Sequence, residues 1–274
     1  MKGPEFSFSF LAQQYETRHI PKLRSAETCR GRLKDLISFF GDLHLQDITL
    51  QRIEEFKMMK GKTCKPATVN RYLSQIHKML SLAYDWGWVT SIPRIHKEQE
   101  NNQRDRWATK EEESLLLGKA PVWLSQIILF LVDTGCRISE CLDLLWDDVD
   151  LDRKTILIRK SKNNTKRVIP MTDRVYNLLK EKKDNATYPL VFPNKYGERR
   201  SLNCYEAHMR ILINGLSIKD FRPHDLRHTF ATRLVQNGVD LYRVQKLLGH
   251  KSFEMTQRYA HHSVDSLRAA IQSL

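Results

Sequence analysis

Three segments in the C-terminal half of the chain carry side chains that suit chemistry on a phosphate group. Together they contain two arginines, two histidines and one tyrosine, namely Arg137, His224, Arg227, His250 and Tyr259. Arginine binds phosphate oxygens through paired hydrogen bonds, histidine exchanges protons near neutral pH, and tyrosine can act as a nucleophile. If these five side chains converge, they can bind a phosphate group and attack it to form a covalent intermediate.

Each of these side chains also has an ordinary structural interpretation. Glu140 stands three residues after Arg137 and could hold its guanidinium, but a surface ion pair is the favoured interpretation of that segment alone. His224 and Arg227 lie one turn apart near a helix start, where they could bind one anion or belong to a structural salt bridge. Tyr259 is predicted to lie about two turns into the last helix.

The elements that must position these side chains belong to a strongly basic chain. Its 274 residues contain 45 Lys and Arg against 32 Asp and Glu, a formal charge of +13. The excess is shared, because residues 1–96 hold 15 basic and 9 acidic side chains and residues 108–274 hold 27 and 20. Two basic domains that contact a nucleic acid from opposite sides explain this distribution better than a single basic tail does. The competing interpretation is that the charge serves solubility alone.

Composition argues against several other classes of protein. The five cysteines form no C-x-x-C pair, which disfavours a disulfide framework or a zinc ribbon and favours a reducing cytoplasm. No apolar run reaches the roughly 18 residues of a membrane span. The sequence shows neither a glycine-rich phosphate loop nor the carboxylate cluster of two-metal nucleases. We therefore expect no membrane contact, no metal and no cofactor.

The N-terminal half predicts helices alone. The clearest helix starts near Pro66, because apolar residues then recur at intervals of three and four. Lys62, Lys65 and Arg71 lie on or before this helix, where they either follow a DNA backbone or form an ordinary solvated face. The opening MKGPEFS fits a cloning scar and a natural start equally well.

A polar stretch divides the chain into two predicted domains. KEQENNQRDR, at 97–106, is nearly balanced in charge and lacks aliphatic side chains, which predicts a linker over 97–107. A helical domain is then expected over 1–96 and a second domain over 108–274. The second domain opens at Thr109 and Glu112, which fit a capping box.

A sharp turn and a hairpin are predicted inside the second domain. Gly135 can adopt positive φ, so it permits the turn before a helix that starts at Arg137. The β-branched runs Thr155–Arg159 and Arg167–Pro170 flank a turn-rich stretch and predict a hairpin. Its tip is basic and is expected to lie against DNA, where one lysine could do chemistry. The tip residues assigned to DNA contact are Lys160, Lys166 and Arg167, with Lys162 between them.

In their order along the chain, TGCRISE, HDLRHTFAT and LGHKSFEMTQRYAH closely resemble the signature of the tyrosine recombinase (phage integrase) family. The resemblance covers Thr109 to about His261 and extends more weakly to the N-terminal helices. It implies a catalytic set of six residues, which are Arg137, Lys162, His224, Arg227, His250 and Tyr259. Lys160 or Lys166 takes the place of Lys162 if the hairpin register differs by a step. Glu140 is expected to support the site.

The resemblance also implies the chemistry. Two arginines would bind the equatorial oxygens of the phosphate while Tyr259 attacks it, which leaves a 3′-phosphotyrosine bond without ATP or metal. His224 and His250 would add hydrogen-bond donors, and one of them would accept the tyrosine proton. Lys162 would protonate the departing 5′ oxygen.

The implied fold is mainly α with a small β-sheet. A helical core-binding, SAM-like domain and a mixed α/β catalytic domain would form a C-shaped clamp on DNA. The implied partners are double-stranded DNA, further copies of the chain in a tetramer, and accessory DNA-bending or directionality proteins. A C-terminal tail helix over Ser266–Leu274 would dock on a neighbouring protomer.

The resemblance implies a site-specific DNA recombinase, and the overall pattern favours the integrase of a phage or integrative element. Within the family, the alternative is a recombinase that resolves chromosome dimers. The spacing of the motifs does not distinguish such a recombinase from an integrase. A type IB topoisomerase would relax DNA without exchanging partners. A non-catalytic DNA-binding protein would bind DNA without forming a covalent adduct.

Overall fold

The computed structural model describes residues 6–23, 25–100, 106–159, 166–260 and 271–272. The chain divides into two compact units, Met1–Asn102 and Gln103–Leu274. This division falls inside the stretch predicted as a linker. Within the described ranges, no helix is both long and apolar enough to cross a membrane.

The described part of the first unit is helical. Its α-helices are α1 (Phe8–Arg18), α2 (Ala26–Phe40), α3 (Leu50–Gly61) and α4 (Pro66–Asp85). The predicted stripe on α4 is buried, because Val69, Leu73, Ile76, Leu80 and Ala83 are each at most 1% exposed. These residues pack with Phe8, Leu36 and Phe56 from the other three helices in one apolar core. The periodicity of three and four thus identified the inward face of α4 correctly.

The beginning of the predicted linker is held against the first unit. The Asn70 side chain accepts from the Glu98 backbone N–H at 2.8 Å and donates to the Glu98 carbonyl at 2.9 Å. Lys57 adds an ion pair with the Glu98 carboxylate at 2.9 Å. Residues up to Glu98 are therefore tied to α3 and α4. Composition alone could not show this anchoring, because the contacts come from distant parts of the chain.

The second unit combines helices with one small sheet. Its elements are α5 (Lys110–Lys119), α6 (Val122–Thr134), α7 (Ile138–Leu142), β1 (Val149–Asp150), β2 (Thr155–Ile158), β3 (Arg167–Pro170), α8 (Asp173–Asp184), α9 (Leu202–Gly215), α10 (Asp225–Gln236), α11 (Leu241–Leu248) and α12 (Glu254–Gln257). The sheet order is β1-β2-β3 and both pairings are antiparallel. The predicted hairpin is confirmed by the β2–β3 pairing of Ile158 with Arg167. Its tip, 160–165, lies outside the described residues.

Two local predictions for this unit are confirmed. The Glu112 amide donates to Thr109 Oγ1 at 3.2 Å, and the Thr109 amide donates to Glu112 Oε2 at 3.0 Å, which completes the capping box at the start of α5. α6 ends at Thr134 and is followed by Gly135, whose φ of +62° lies in the left-handed region. The chain can therefore turn sharply and begin α7 immediately after Arg137.

The main core of the second unit surrounds α6, and a smaller core lies farther along the chain. Apolar side chains of α6, such as Ile127, Ile128 and Leu131, are buried in the main core. The smaller core comprises Phe230, Ala231, Val235, Val244, Leu248 and Tyr259. This second cluster fixes α10, α11 and the turn after α12 against one another. It therefore positions most of the residues that the sequence assigns to chemistry.

Candidate active site

Arg137 lies at the N-terminal end of α7, directly after the Gly135 turn. Its backbone N–H donates to Glu140 Oε2 at 2.9 Å, and its Nη1 donates to Glu140 Oε1 at 3.0 Å. The Glu140 side chain is only 2% exposed. This burial excludes the ordinary surface ion pair, because such a pair would leave both groups in water. Glu140 therefore fixes the direction of the Arg137 guanidinium.

The same carboxylate also holds Arg167. Arg167 Nη2 and Nη1 donate to the two Glu140 oxygens at 2.6 and 3.1 Å, and Arg167 Nε donates to the Leu247 carbonyl at 2.8 Å. Burial by itself would raise the pKa of Glu140, but the hydrogen bond and charge of Arg167, reinforced by Arg137, outweigh burial and leave the pKa below its usual value. Glu140 is therefore ionised at neutral pH.

The position of Arg167 corrects its assignment as a DNA contact. Its side chain is 7% exposed and its guanidinium is occupied by Glu140 and Leu247. The basic character of the hairpin suggested an exposed tip, but Arg167 is the first residue of β3 and faces inward. We assign it instead to the support of the site, where it stabilises the carboxylate that orients Arg137.

Arg227 lies in the first turn of α10 and is 3% exposed. Its Nη1 donates to the Gly135 carbonyl at 2.7 Å, and its Nη2 donates to the Leu248 carbonyl at 2.6 Å. These carbonyls belong to the C-terminal ends of α6 and α11, where unpaired carbonyls and the helix dipole favour a cation. Burial, together with the charges of Arg137 and Arg167, lowers the pKa of Arg227 to about 10, so it remains charged at neutral pH.

His224 and His250 lie near these guanidinium groups. His224 caps the start of α10, where burial and the charge of Arg227 lower its pKa. His250 follows Gly249, which has a φ of +65°, and its Nδ1 lies 2.8 Å from Thr256 Oγ1. Burial and then the Arg227 and Arg137 charges lower the pKa of His250 to about 3. Both imidazoles are therefore neutral at pH 7, when no anion is bound.

Tyr259 does not lie two turns inside a helix, and that prediction is wrong. α12 ends at Gln257, and the Tyr259 amide bonds to the Thr256 carbonyl at 2.9 Å in the turn that follows. Its ring is 4% exposed and belongs to the smaller core. Its hydroxyl lies 2.6 Å from His228 Nδ1. Burial raises the pKa of Tyr259, while the charges of Arg258 and Arg227 oppose that rise.

His228 is the residue at this site that the sequence did not single out. It follows Arg227 directly and stands one helical turn after His224, so its ring lies 5.1 Å from the His224 ring. Burial and the charges of Arg258 and His224 lower its pKa to about 4. The spacing of four residues between the two histidines in HDLRH was the available signal, since it places both on one helix face.

The structure thus gathers five of the six predicted catalytic residues around the turns at Gly135 and Gly249. A cavity of about 670 Å³ borders this group at His224 and Arg227, and its mostly apolar lining also includes Arg210, Arg222 and Glu206. The guanidinium groups of Arg137 and Arg227, which both act on His250, make the site itself an environment for an anion. Phosphate and carboxylate groups both fit the paired donors of a guanidinium group.

No contact in the described part of the chain joins the remaining predicted residues, which are mostly lysines, to this site. Lys162 and Lys160 lie outside the described residues. Lys166 is exposed at the base of the hairpin. Lys62, Lys65 and Arg71 are exposed in the first unit, at the end of α3 and the start of α4. Among the residues that the structure describes, no three His, Cys, Asp or Glu side chains form a group able to hold a metal ion.

Comparison with known sequences identifies the family. The model of the phage integrase family matches residues 104–265. The integrase of Salmonella phage P22 is 28% identical, and the alignment covers 87% of this chain and 72% of that protein. Tyrosine recombinase XerA of Saccharolobus solfataricus is 36% identical over 77% of this chain and 68% of its own.

Comparison with solved structures agrees on the fold. Lambda integrase, as a dimer bound to a COC′ core site, superposes with a TM-score of 0.80 at 20% identity, covering 93% of this chain and 77% of that one. Its tetramer bound to a Holliday junction gives a TM-score of 0.77 at 20% identity, with coverage of 90% and 78%. The predicted fold class, mainly α with a small β-sheet, is confirmed.

The fold and the matched residues define a tyrosine recombinase. The chain belongs to the phage integrase family, and the function that this membership supports is site-specific DNA recombination. The comparisons do not separate an integrase from a recombinase of the Xer type.

Proposed function

We propose that this chain is the integrase of a phage or integrative mobile element, and that it cleaves and rejoins DNA through a 3′-phosphotyrosine intermediate on Tyr259. The main support for this chemistry is the grouping of two guanidinium groups with the buried Tyr259. Arg227 is buried and Arg137 is partly buried. Both arginines are held before any substrate arrives, Arg137 by Glu140 and Arg227 by two backbone carbonyls. Such preorganised donors stabilise charge that develops in a transition state.

The proposed reaction is an in-line transesterification. The Tyr259 oxygen attacks the phosphorus, and the equatorial oxygens gather negative charge that Arg137 and Arg227 bind. His224 and His250 are neutral at pH 7 and can each donate one N–H to the same oxygens. Lys162 donates a proton to the departing 5′ oxygen, a role that rests on the family resemblance. The phosphotyrosine bond is then broken when a 5′-hydroxyl of another strand attacks it.

The proposed partners are double-stranded DNA and further copies of the chain. Both units carry an excess of basic residues, which supports binding of a polyanion by each of them. The likeness to lambda integrase, solved as a dimer and a tetramer on DNA, supports a tetrameric synaptic complex. The proposed tail helix, accessory proteins and cytoplasmic location remain predictions from the sequence, and most of the tail lies outside the described residues.

A recombinase of the Xer type is the second candidate. The XerA relative is more identical over its aligned part than the phage P22 integrase is, at 36% against 28%. Alignment length does not separate the two classes, because the phage relative aligns over 87% of this chain and a XerC recombinase of Listeria monocytogenes over 94%. We favour the integrase on the overall pattern of the sequence motifs, which resembles that of integrases of phages and integrative elements.

The proposed chemistry is tested by trapping the covalent intermediate. A library of nicked duplexes with randomised core sequences is incubated with the protein, because loss of the short fragment beyond the nick prevents rejoining. Wild type should form an adduct that survives denaturation, whose peptide maps to Tyr259 and whose DNA ends in a 3′ phosphate. Tyr259→Phe should bind the recovered site with unchanged affinity and form no adduct. An adduct at another residue, or through a 5′ phosphate, would contradict the mechanism.

The trapped DNA also distinguishes the two candidates. An integrase should recombine the recovered sequence with a second, different site and join two separate molecules. A resolving recombinase should act on two identical copies of one site. Relaxation of supercoiled plasmid without any recombinant product would instead indicate topoisomerase activity.

A further inference from the structure

The hydroxyl of Tyr259 has a specific partner in the structure. His228 Nδ1 lies 2.6 Å from the Tyr259 oxygen, and the two rings lie 5.7 Å apart. The histidine is 8% exposed and the tyrosine 4%, so water has little access to the bond between them. A short hydrogen bond in such a setting fixes the rotation of the phenol hydroxyl as well as its position.

The two histidines of the family signature are placed differently. His250 Nδ1 lies 2.8 Å from Thr256 Oγ1, so that nitrogen already has a partner. His224 stands at the start of α10, one turn before His228, with its ring edge-on to the His228 ring. Of these three imidazoles, His228 is the one with a ring nitrogen within hydrogen-bond distance of the nucleophilic oxygen.

We propose that His228 is a further catalytic residue, which holds the Tyr259 hydroxyl through Nδ1 and accepts its proton as the tyrosine oxygen attacks the phosphate. This inference rests on the proposed function of Tyr259. As the O–P bond forms, the phenol O–H bond breaks and its proton passes to Nδ1, giving an imidazolium. The P–O5′ bond breaks and the 5′ oxygen takes its proton from a separate donor. Rejoining reverses both transfers and returns the proton from His228 to Tyr259.

The charges around His228 make its basicity depend on bound DNA. The groups that face it are Arg258, in the turn after α12, and His224, Asp225 and Arg227 on α10 itself. Burial, followed by the charges of Arg258 and Arg227, keeps the pKa of His228 at about 4 without DNA although Asp225 opposes them, so the imidazole is neutral and ready to accept a proton. A bound phosphate adds negative charge beside the arginines and therefore favours the imidazolium. The base becomes stronger when its substrate is present.

The test compares two variants that separate holding from proton transfer. His228→Asn keeps a hydrogen-bond acceptor near the position of Nδ1 but cannot take up a proton at neutral pH, whereas His228→Ala removes both functions. Single-turnover adduct formation is measured on the nicked duplex recovered from the library, at saturating protein. Because general bases contribute roughly 10² to 10⁴-fold, we expect both variants to be slower than wild type by about 100-fold or more. His208→Ala, an exposed histidine on α9, is the matched control and should react at the wild-type rate.

A second substrate distinguishes the residue that accepts the tyrosine proton from the residue that donates a proton to the leaving group. When sulfur replaces the bridging 5′ oxygen, the leaving group departs as a thiolate and needs no proton. The defect of a leaving-group donor is then relieved, but the His228 defect should persist, because the tyrosine must still lose its proton. Gel-shift affinity and thermal unfolding of each variant confirm folding and DNA binding.

The outcomes distinguish this inference from the proposed function. A His228→Asn rate within about threefold of wild type, or rescue of either variant by the sulfur substrate, would overturn the role of proton acceptor. If wild type itself forms no adduct, or forms one away from Tyr259, the proposed function fails instead. A slow His228→Asn variant with normal folding and normal DNA affinity supports proton transfer, because a purely positioning role would be restored by asparagine.

Discussion

At the scale of single residues, Glu140 determines how the site is charged before DNA arrives. One buried carboxylate binds the guanidinium groups of Arg137 and Arg167, so two cations share one anion. The arrangement leaves a net positive charge in a region with little water. A phosphate group is therefore attracted to a site whose cations are already oriented, and its binding costs less reorganisation than it would with mobile side chains.

We expect Glu140→Gln to damage both stability and activity. Loss of the carboxylate leaves Arg167 buried without its counter-ion, and breaking a buried pair in this way costs about 3–5 kcal/mol. Denaturant unfolding should therefore show a loss near the lower end of that range, because glutamine retains one acceptor. Adduct formation should also slow, since Arg137 loses its fixed direction. Unchanged stability would contradict the role assigned to Glu140.

The pH dependence of that stability loss has a definite sign. The pKa of folded Glu140 lies below its ordinary value of 4.5, so the ionised carboxylate stabilises the fold above that value. The difference in unfolding free energy between wild type and Glu140→Gln should be largest near neutral pH. It should shrink as the pH falls from about 4.5 through the lower pKa of the folded state. Denaturant titrations at several pH values measure it.

The sequence identified the residues of this site better than it identified their surroundings. The order of the motifs was sufficient to select Arg137, Arg227 and Tyr259, because it can be recognised from the sequence without knowing how the chain packs. Arg167 was assigned to the surface and His228 was passed over. Burial of the first and the tyrosine contact of the second both depend on segments tens of residues away, and the only local signal was the four-residue spacing of His224 and His228.

At the scale of elements, the site depends on helix ends. Gly135 ends α6 with a φ of +62°, and its carbonyl accepts from Arg227. A Cβ at this position would lie 2.3 Å from Cδ1 of Phe230 on α10, so the turn and that helix are packed without spare room. The need for glycine at the turn was predictable from its place between two helical patterns. The contact with Phe230 was not, because it joins residues far apart in the chain.

We expect Gly135→Ala to destabilise the second unit severely. The substitution combines a left-handed backbone, which costs an L-residue roughly 1–2 kcal/mol, with overpacking, which costs about 1–3 kcal/mol. Gly238→Ala is the matched control, since its φ is +79° and a Cβ there meets nothing within 4 Å. The control should lose only the backbone part. Equal losses for the two variants in denaturant unfolding would show that packing against Phe230 contributes little.

The error in the placement of Tyr259 also belongs to this scale. The sequence pattern after Gly249 continues smoothly enough to predict a helix through the tyrosine. The observed α12 has only four residues, Glu254–Gln257. The tyrosine ring instead packs with residues of α10 and α11, and its hydroxyl reaches His228. Tertiary contacts thus outweighed helix propensity, which is weak for so short a segment.

At the scale of the whole molecule, positive charge is spread over both units. The division near 97–107 and the presence of a helical first unit could be anticipated from composition and periodicity. Which basic residues face DNA could not, because a solvated face and a phosphate-binding face have the same local composition. The exposed residues Lys62, Lys65 and Arg71 remain candidates for such a face.

We expect the triple variant Lys62→Ala, Lys65→Ala, Arg71→Ala to weaken DNA binding in a salt-dependent way. Each lost phosphate contact should reduce the slope of log affinity against log salt concentration by about 0.9. The measurement is a binding titration on the recovered duplex at several salt concentrations. A variant that removes Lys22, Arg30 and Lys34, which loses the same charge from another part of the unit, serves as the control. Equal slopes for the two triple variants would contradict a specific contact at α3 and α4.

The carbonyls that hold Arg227 have a consequence for the timing of synthesis. One comes from residue 135 and the other from residue 248, and the tyrosine follows eleven residues after the second. A ribosome-bound chain that has emerged only as far as α10 has one of these carbonyls and no nucleophile. The cutting site is therefore among the last parts of the described chain to be completed. If Tyr259 is the nucleophile, as proposed, a newly made molecule can meet DNA but cannot break it until α11 and the turn that carries Tyr259 have folded.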